Sequence, residues 1–267
     1  MKAELFTSVM KTIGRTQDET IRTAIESALD TLNEKANQNA EATINNALEA
    51  FSKAKSAHTE NMLKLNDIDA AITRSVKERQ NALNESAEAE QNWRTRFREL
   101  RGMMTPELKV EHSQRVACRE LAEEFTALIA ELEDDKASTM LSACTSGDKY
   151  VGTHFTVFSA YSRNEWATVM KDIPPSLVRA FALRLRELEM KGEEHPHNVL
   201  IQELGENVLA QSRYYTFNMA QEPVISKIGL HRPALTGVDM KLFKSPVLRM
   251  ARAKELAQKK KSRGVKP

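Results

Sequence analysis

The sequence is poor in the residues that interrupt helices and in aromatic side chains. Among its 267 residues, 9 are glycine, 8 are proline and only 6% are aromatic. The abundant residues are Ala, Glu, Lys, Leu and Arg, which lose little conformational freedom in a helix. No segment alternates apolar and polar residues for long enough to predict a half-buried strand. The sequence therefore predicts an all-α protein.

Long apolar runs and cysteines are also scarce. No run of eighteen apolar residues occurs, so we expect no membrane-spanning helix. The first residues, MKAELFTSVMKTIGR, lack the apolar core and small-residue cleavage site of a secretory signal. The two cysteines, Cys118 and Cys144, fall in helix-like sequence without metal-type spacing, which favours reduced thiols. We therefore expect a cytoplasmic location.

The common motifs of enzymes are missing. No glycine-rich phosphate loop, zinc-binding spacing or nucleophile elbow is present. The segment GEEHPH brings Glu193, Glu194, His195 and His197 together, but Pro196 disrupts the spacing of metal ligands and favours a turn. We therefore expect a protein that is not an enzyme, with no catalytic residue, no metal and no cofactor.

The net charge of +2 conceals an uneven distribution. Residues 249–266 contain eight basic residues and one acid, which leaves 31 basic and 36 acidic residues in the rest of the chain. A nucleic-acid-binding body would need a basic face, so nucleic acid is an unlikely partner for the body of the protein. The basic tail itself remains open to nucleic acid, to an acidic protein surface or to solvent.

A long heptad pattern begins at Ile44. Its positions alternate steps of four and three residues, which predicts a helix packed against a partner helix with a left-handed supercoil. Four positions are polar, and such breaks can fix register at a cost in stability. The twelve positions are Ile44, Leu48, Phe51, Lys55, His58, Met62, Leu65, Asp69, Ile72, Val76, Arg79 and Leu83.

The heptad pattern ends in a predicted corner between two antiparallel helices. Gly102 is placed to terminate the first helix, and Thr105 is placed to cap the next, with Pro106 in its first turn. We expect two aromatic residues of the first helix to pack against two apolar residues of the second, because all four follow helical spacing. These residues are Trp93, Phe97, Val116 and Leu121.

The later part of the chain predicts shorter helices and an extended strap. Helices are expected after DIPPSL, from His197 to about Met219, and after Ser245 and Pro246. The prolines and glycines of residues 222–246 instead favour an extended, docked strap. We predict an N-terminal helical extension (1–46), a long coiled-coil-like helical hairpin arm (47–145) and a more compact helical region with strap and basic tail (146–267). The predicted fold is all-α and elongated.

Three segments resemble the Sid family, the capsid size determination proteins of satellite phages. They are KAKSAHTEN (53–61), NWRTRFRELRG (92–102) and ELKVEHSQRVACRELAEEF (107–125), in the family's order and at nearly constant spacing. The similarity spans about residues 47–258 and is strong only to Cys144. The first 46 residues have no counterpart. KIGLHRPALTGVD (227–239) also resembles part of Psu, the related polarity-suppression and capsid-decoration family.

The resemblance implies an external scaffold that assembles as a cage on a helper phage's procapsid and directs the major capsid protein into a smaller shell. The implied partners are that capsid protein and further copies of the chain, through dimer and trimer contacts. Decoration of the finished capsid, with transcription polarity suppression, and nucleic-acid-binding regulation are the alternatives. The candidates for self-association or capsid contact are Leu48, Phe51, Met62, Leu65 and Ile72 in the arm, with Ile228, Leu235 and Leu242 in the strap.

Overall fold

The computed structural model describes residues 19–262, and these residues contain helices, turns and irregular segments but no strand. The prediction of an all-α fold is confirmed. The helices are α1 (Glu19–Glu99), α2 (Pro106–Lys171), α3 (Pro175–Met190), α4 (Pro196–Arg213), α5 (Ile225–Ile228), α6 (Met240–Lys244) and α7 (Pro246–Ser262). No helix within residues 19–262 has an apolar stretch long enough to cross a membrane.

Helix α1 runs for 81 residues without interruption, which corresponds to about 120 Å at 1.5 Å per residue. It passes without a break through the asparagine-containing segment around Asn37. The reason is that residues 19–99 contain neither glycine nor proline, and asparagine lowers helix propensity only slightly. Predictions for residues 1–18 lie outside the described residues.

The heptad pattern of α1 buries every seventh residue over four heptads. Ile44, Phe51, His58, Leu65 and Ile72 are all buried. The intervening positions are half-buried, as at Leu48 and Met62, or exposed, as at Lys55 and Asp69. Such a strict repeat of seven is the packing expected of one helix against another.

Beyond Ile72, the buried positions of α1 differ from the predicted ones. Ser75 and Ala82 are buried, whereas Val76 and Leu83 are exposed. From Ile72 the buried stripe continues by a step of three residues to Ser75, and Ala82 follows seven residues later. The last predicted positions, Val76 and Leu83, are therefore corrected to Ser75 and Ala82.

The predicted turn between α1 and α2 is confirmed. Gly102 has φ +86°, and its N–H donates to the Phe97 carbonyl at 2.9 Å, which closes the end of α1. Thr105 Oγ1 accepts a hydrogen bond from the Leu108 N–H at 3.3 Å and so caps α2. Pro106 is the first residue of α2. Leu108, one turn further on, is buried.

Helix α2 continues through TSGDK (145–149), where the sequence suggested that a segment ends. Its 66 residues include Gly147 and Gly152 within the helix. Gly147 is buried, and a Cβ built there would lie 3.3 Å from both methyl carbons of Leu235. The glycine therefore admits a close neighbour and does not end the helix.

The described chain divides into two structural units. One contains residues 19–51 and Gly152–Pro233, and the other contains Ser52–Val151 and residues 234–262. This division differs from the predicted ranges 1–46, 47–145 and 146–267. The end of the strap and α7 belong to the unit that contains residues 52–99 of α1 and 106–151 of α2. The strap passes from one unit to the other at Pro233, and it has buried residues in each.

Candidate assembly surfaces

KAKSAHTEN, the first of the three segments that resemble the Sid family, forms a buried polar junction between α1 and α2. The His58 ring stacks on Tyr150 with centroids 5.7 Å apart, and His58 Nδ1 lies 3.3 Å from Ser146 Oγ. Asn61 Nδ2 donates to the same Ser146 oxygen at 3.0 Å. Burial lowers the pKa of His58, and a hydrogen bond with the Ala143 backbone opposes that shift. The junction therefore favours a neutral imidazole.

The second half of the strap covers α2 beside this junction. Cys144, Val238 and Phe243 form a buried cluster. Four half-buried residues surround it, namely Met62, Met140, Leu235 and Leu242. Asp239 caps α6 by accepting hydrogen bonds from Lys241 N and Leu242 N. A Cβ on Gly237, which has φ +83°, would lie 2.9 Å from Met62 Cε. The positive φ favours glycine here, and the flexible end of Met62 occupies the space that a Cβ would take.

The first half of the strap is held in the other unit by a second buried histidine. His154 Nε2 donates to the Gly229 carbonyl at 3.2 Å. Its ring lies between Phe51, at a centroid distance of 6.0 Å, and Phe158, at 6.3 Å. Tyr161 Oη donates to Glu222 at 2.9 Å. Burial and this hydrogen bond raise the pKa of Tyr161 to about 12.

The structure places the predicted self-association residues inside the packing of the chain itself. Phe51, Leu65, Ile72 and Ile228 are buried. Leu48 is half-buried, and Met62, Leu235 and Leu242 pack around the Cys144 cluster. A second molecule would reach other side chains first.

The predicted corner exists, but its partners differ in part from those expected. Trp93 stacks on Phe97 at 5.0 Å and contacts His112 at 5.6 Å, while the Arg115 guanidinium lies 4.8 Å from the Trp93 ring centroid. Val116 is half-buried, whereas Leu121 is 50% exposed. The second helix thus presents His112 and Arg115 to the indole, because these residues and not Leu121 lie opposite it.

Ion pairs surround the corner. Arg115 pairs with Glu90, Arg96 pairs with Glu111, and Arg94 pairs with Glu90 along α1. Arg94 and Arg96 therefore both have carboxylate partners. The corner therefore combines aromatic packing with charge pairs across the two helices.

Helices α3 and α4 are joined by an arginine clamp. Arg184 donates from Nη2 to Glu203 Oε1 at 2.6 Å and from Nε to Glu203 Oε2 at 3.2 Å. It also donates to Glu187 Oε2 at 2.7 Å. Hydrogen bonds from Lys191 and Arg184 lower the pKa of Glu187 to about 2. This bidentate geometry fixes one helix against the other.

Helices α3 and α4 carry many exposed apolar side chains, which sequence reasoning did not single out. The signal was present in α4, where Ile201, Leu204 and Val208 follow the i, i+3, i+7 spacing of one helical face. The exposed set is Leu177, Val178, Leu183 and Met190 on α3, with Ile201, Leu204, Val208 and Leu209 on α4. We call these eight residues the α3–α4 face. Exposed apolar sets of this kind mark interaction sites.

The basic C-terminal helix pairs with acids of its own unit. Lys259 Nζ lies 3.2 Å from Asp134 Oδ1, and Lys260 Nζ lies 3.9 Å from Asp135 Oδ1. Two basic residues of the tail are thus directed at α2.

In the GEEHPH segment, Glu193, Glu194, His195 and His197 are exposed, and residues 19–262 hold no cluster of metal-ligand type.

Comparison with known proteins gives a sequence relative and a related fold. No protein-family model matches the chain. The chain is 26% identical over 211 residues to Glycoprotein 3 of Enterobacteria phage P4, covering 76% of this chain and 86% of that protein. The fold resembles a chain in the solved structure of the satellite phage P4 procapsid including size determination (Sid) protein. The TM-score is 0.72 at 24% identity, covering 83% of this chain and 97% of that chain.

Proposed function

We propose that this chain, a member of the Sid family, is an external scaffolding protein of a phage satellite. It assembles on the procapsid of a helper phage and directs the helper's major capsid protein into a smaller shell. The procapsid lies in the cytoplasm of the host cell. The protein changes capsid size by restricting the curvature at which capsid subunits assemble, and it does not act as an enzyme.

The similarity to Glycoprotein 3 carries this proposal, because it extends over most of both proteins. The three segments that resemble the Sid family also organise the fold. His58 and Asn61 of the first segment form the junction with Ser146, and Trp93 and Arg115 of the other two form the corner. The similarity therefore reaches the residues that define how the two long helices pack.

The long helices provide the stiffness that a scaffold requires. Helix α1 has 81 residues and α2 has 66. Their parts within one unit, residues 52–99 and 106–151, are each about 70 Å long at 1.5 Å per residue. Residues 52–99 of α1 pack against the part of α2 in the same unit through the heptad positions, the junction and the corner. Paired helices resist bending, so such a unit can transmit a fixed spacing to the capsid proteins beneath it.

A cage also needs contacts between copies, and the α3–α4 face is the candidate for one of them. Its exposed apolar residues gain most by burial against another protein surface. The arginine clamp between Arg184 and Glu203 holds the two helices in a fixed relation, so the face is preorganised for a joint. A closed assembly requires a further kind of contact, because one two-fold joint alone stops at a dimer.

Co-expression with the helper's major capsid protein tests the proposal. Electron microscopy should show particles of smaller diameter than those from the capsid protein alone, with added density on the outside. Particles of unchanged diameter that carry none of this protein would overturn it. Retention on mature, DNA-filled particles without a change of size would instead support the decoration alternative.

A matched pair of variants tests the α3–α4 face within the same experiment. Ile201→Asp with Val208→Asp places two charges on the exposed apolar face of α4 and should abolish small particles while the protein remains folded. Gln202→Asp with Asn207→Asp adds the same charge at exposed polar positions of α4 and should leave particle size as in the wild type. Equal behaviour of both pairs would exclude the α3–α4 face from assembly.

A further inference from the structure

A second surface suited to self-association lies at the turn between α1 and α2. Leu100, Met103 and Met104 are exposed there, although a short turn of a soluble protein is ordinarily polar. Arg98 and Arg101 are exposed beside them. We call these five residues the tip patch. It combines flexible apolar side chains with positive charge, and both features are enriched in protein interfaces.

The charge of the tip patch is not neutralised within the described chain. Arg94 and Arg96 have carboxylate partners in Glu90 and Glu111. By contrast, no acidic side chain among residues 19–262 forms an ion pair with Arg98 or Arg101. These two guanidinium groups are therefore available to a carboxylate of another molecule.

The backbone at Arg101 strengthens the case for a functional side chain. Arg101 has φ +51° and is the one non-glycine residue in the left-handed region within residues 19–262. Glycine adopts that conformation without the steric cost of a Cβ. Glycine at this position would thus serve the turn better than arginine does. The strained arginine indicates that its side chain has a role beyond ending the helix.

A complementary groove lies on α2. It is lined by Leu121, Phe125 and Leu128, flanked by Glu124 and Glu131. Leu121 and Leu128 are exposed, and residues 120–135 contain seven acids and no basic residue. Within residues 19–262, neither Glu124 nor Glu131 has an ion-pair partner. We call these five residues the acidic groove.

The tip patch and the acidic groove complement each other in charge and in apolar character, but they cannot meet within one molecule. Met104 and Phe125 are 21 positions apart, which is about 30 Å along a helix that rises 1.5 Å per residue. We infer that the tip patch of one copy docks in the acidic groove of a second copy. This inference rests on the proposed function and supplies the second kind of joint that a cage requires.

Such a joint is heterologous, because it uses two different surfaces of the same chain. Heterologous joints close into rings or extend into larger assemblies, whereas a joint between identical surfaces ends at a dimer. Together with the α3–α4 face, the tip–groove joint would link each copy to more than one neighbour. Its charge component should weaken as salt is raised.

Charge reversal with rescue tests the pairing on the purified full-length protein. Association is measured by sedimentation velocity over a concentration series at low ionic strength. Arg98→Glu with Arg101→Glu should lower the association constant at least about tenfold, as should Glu124→Lys with Glu131→Lys, since each places like charges opposite one another. Combining all four changes should restore association to within about threefold of the wild type, since the charges are complementary again.

Two further variants separate contact from folding. Arg101→Gly removes the side chain and relieves the backbone strain, so it should raise or preserve the melting temperature while weakening association. Lys55→Glu with Lys64→Glu changes the charge by the same amount as the tip reversal. Both are exposed positions of α1 that lie beyond the ion pair of Asp69 with Lys136, and so away from both surfaces. This control should associate as the wild type does.

Three results would overturn the inference. They are a wild-type protein that does not self-associate, a four-fold charge exchange that fails to rescue, and an Arg101→Gly protein with unchanged association. A tip reversal that abolishes capsid binding without rescue by the groove reversal would assign the tip patch to the capsid protein instead. Since association is measured without capsid protein, a failure here is distinguishable from a failure to change particle size.

Discussion

Replacing Trp93 by alanine should destabilise the corner between the two long helices. Truncating a fully buried aromatic residue costs about 3–5 kcal/mol. Trp93 is half-buried, which reduces the loss from burial to roughly 2 kcal/mol. The change also removes the stack on Phe97 and the contact with the Arg115 guanidinium, which together contribute about 1 kcal/mol more. We therefore expect a loss of about 3 kcal/mol.

Urea unfolding followed by far-ultraviolet circular dichroism measures this loss and compares it with two controls. Trp93→Phe keeps a stacked ring and removes an indole Nε1 that is buried without a hydrogen-bond partner, so it should cost less than about 1 kcal/mol. Arg94→Ala removes an ion pair whose arginine is 64% exposed, and it should also cost less than about 1 kcal/mol. A Trp93→Ala protein as stable as wild type would refute the corner.

Three other predictions concern His58, the two glycines within α2 and the arginine clamp. An imidazole in the unfolded chain titrates near pH 6.5, and burial lowers the pKa of His58 in the folded protein. The neutral buried ring therefore contributes its full stability above about pH 6.5, and this contribution is lost as the pH falls through the folded pKa. On acidification to about pH 5.5, the melting temperature of His58→Gln should therefore fall less than that of the wild type. The control His231→Gln, at an exposed position, should fall as the wild type does. An equal pH dependence of His58→Gln and wild type would contradict the prediction. A Cβ at Gly152 meets no atom within 4 Å, so Gly152→Ala should raise the free energy of unfolding by about 0.5–1 kcal/mol, whereas Gly147→Leu should lower it. The opposite order would show that the strap does not pack there. Arg184→Ala should increase amide hydrogen exchange across α3 and α4 while leaving α7 unchanged, and unchanged exchange in α3 would argue against the clamp.

Local signals account for the parts of the fold that could be predicted. The repeat from Ile44 to Ile72 depends only on spacing along one helix, and it correctly identified five buried positions. The turn at Gly102 and Thr105 depends on residues within a few positions of each other, and its cap and positive φ are as expected. Periodicity and capping are encoded locally, so a single sequence is sufficient for them.

Features that depend on distant segments were not predictable in the same way. The predicted boundary after residue 145 lies inside α2, where Gly147 accommodates Leu235, a residue 88 positions later in the chain. His58 was one of several polar heptad positions, and its burial against Ser146 and Tyr150 depends on how α1 and α2 align. The exposure of the α3–α4 face is also a tertiary property. Amphipathic spacing shows that a face is apolar, and only packing shows whether the chain covers it.

The most direct test of the account is cryo-electron microscopy of procapsids assembled with and without this protein. Assembly with it should give smaller shells, with paired long helices on the outer surface and contacts between neighbouring copies. Assembly without it should give the larger shells of the helper. Shells of one size in both preparations, or density for this protein only inside the shell, would contradict an external scaffold that sets capsid size.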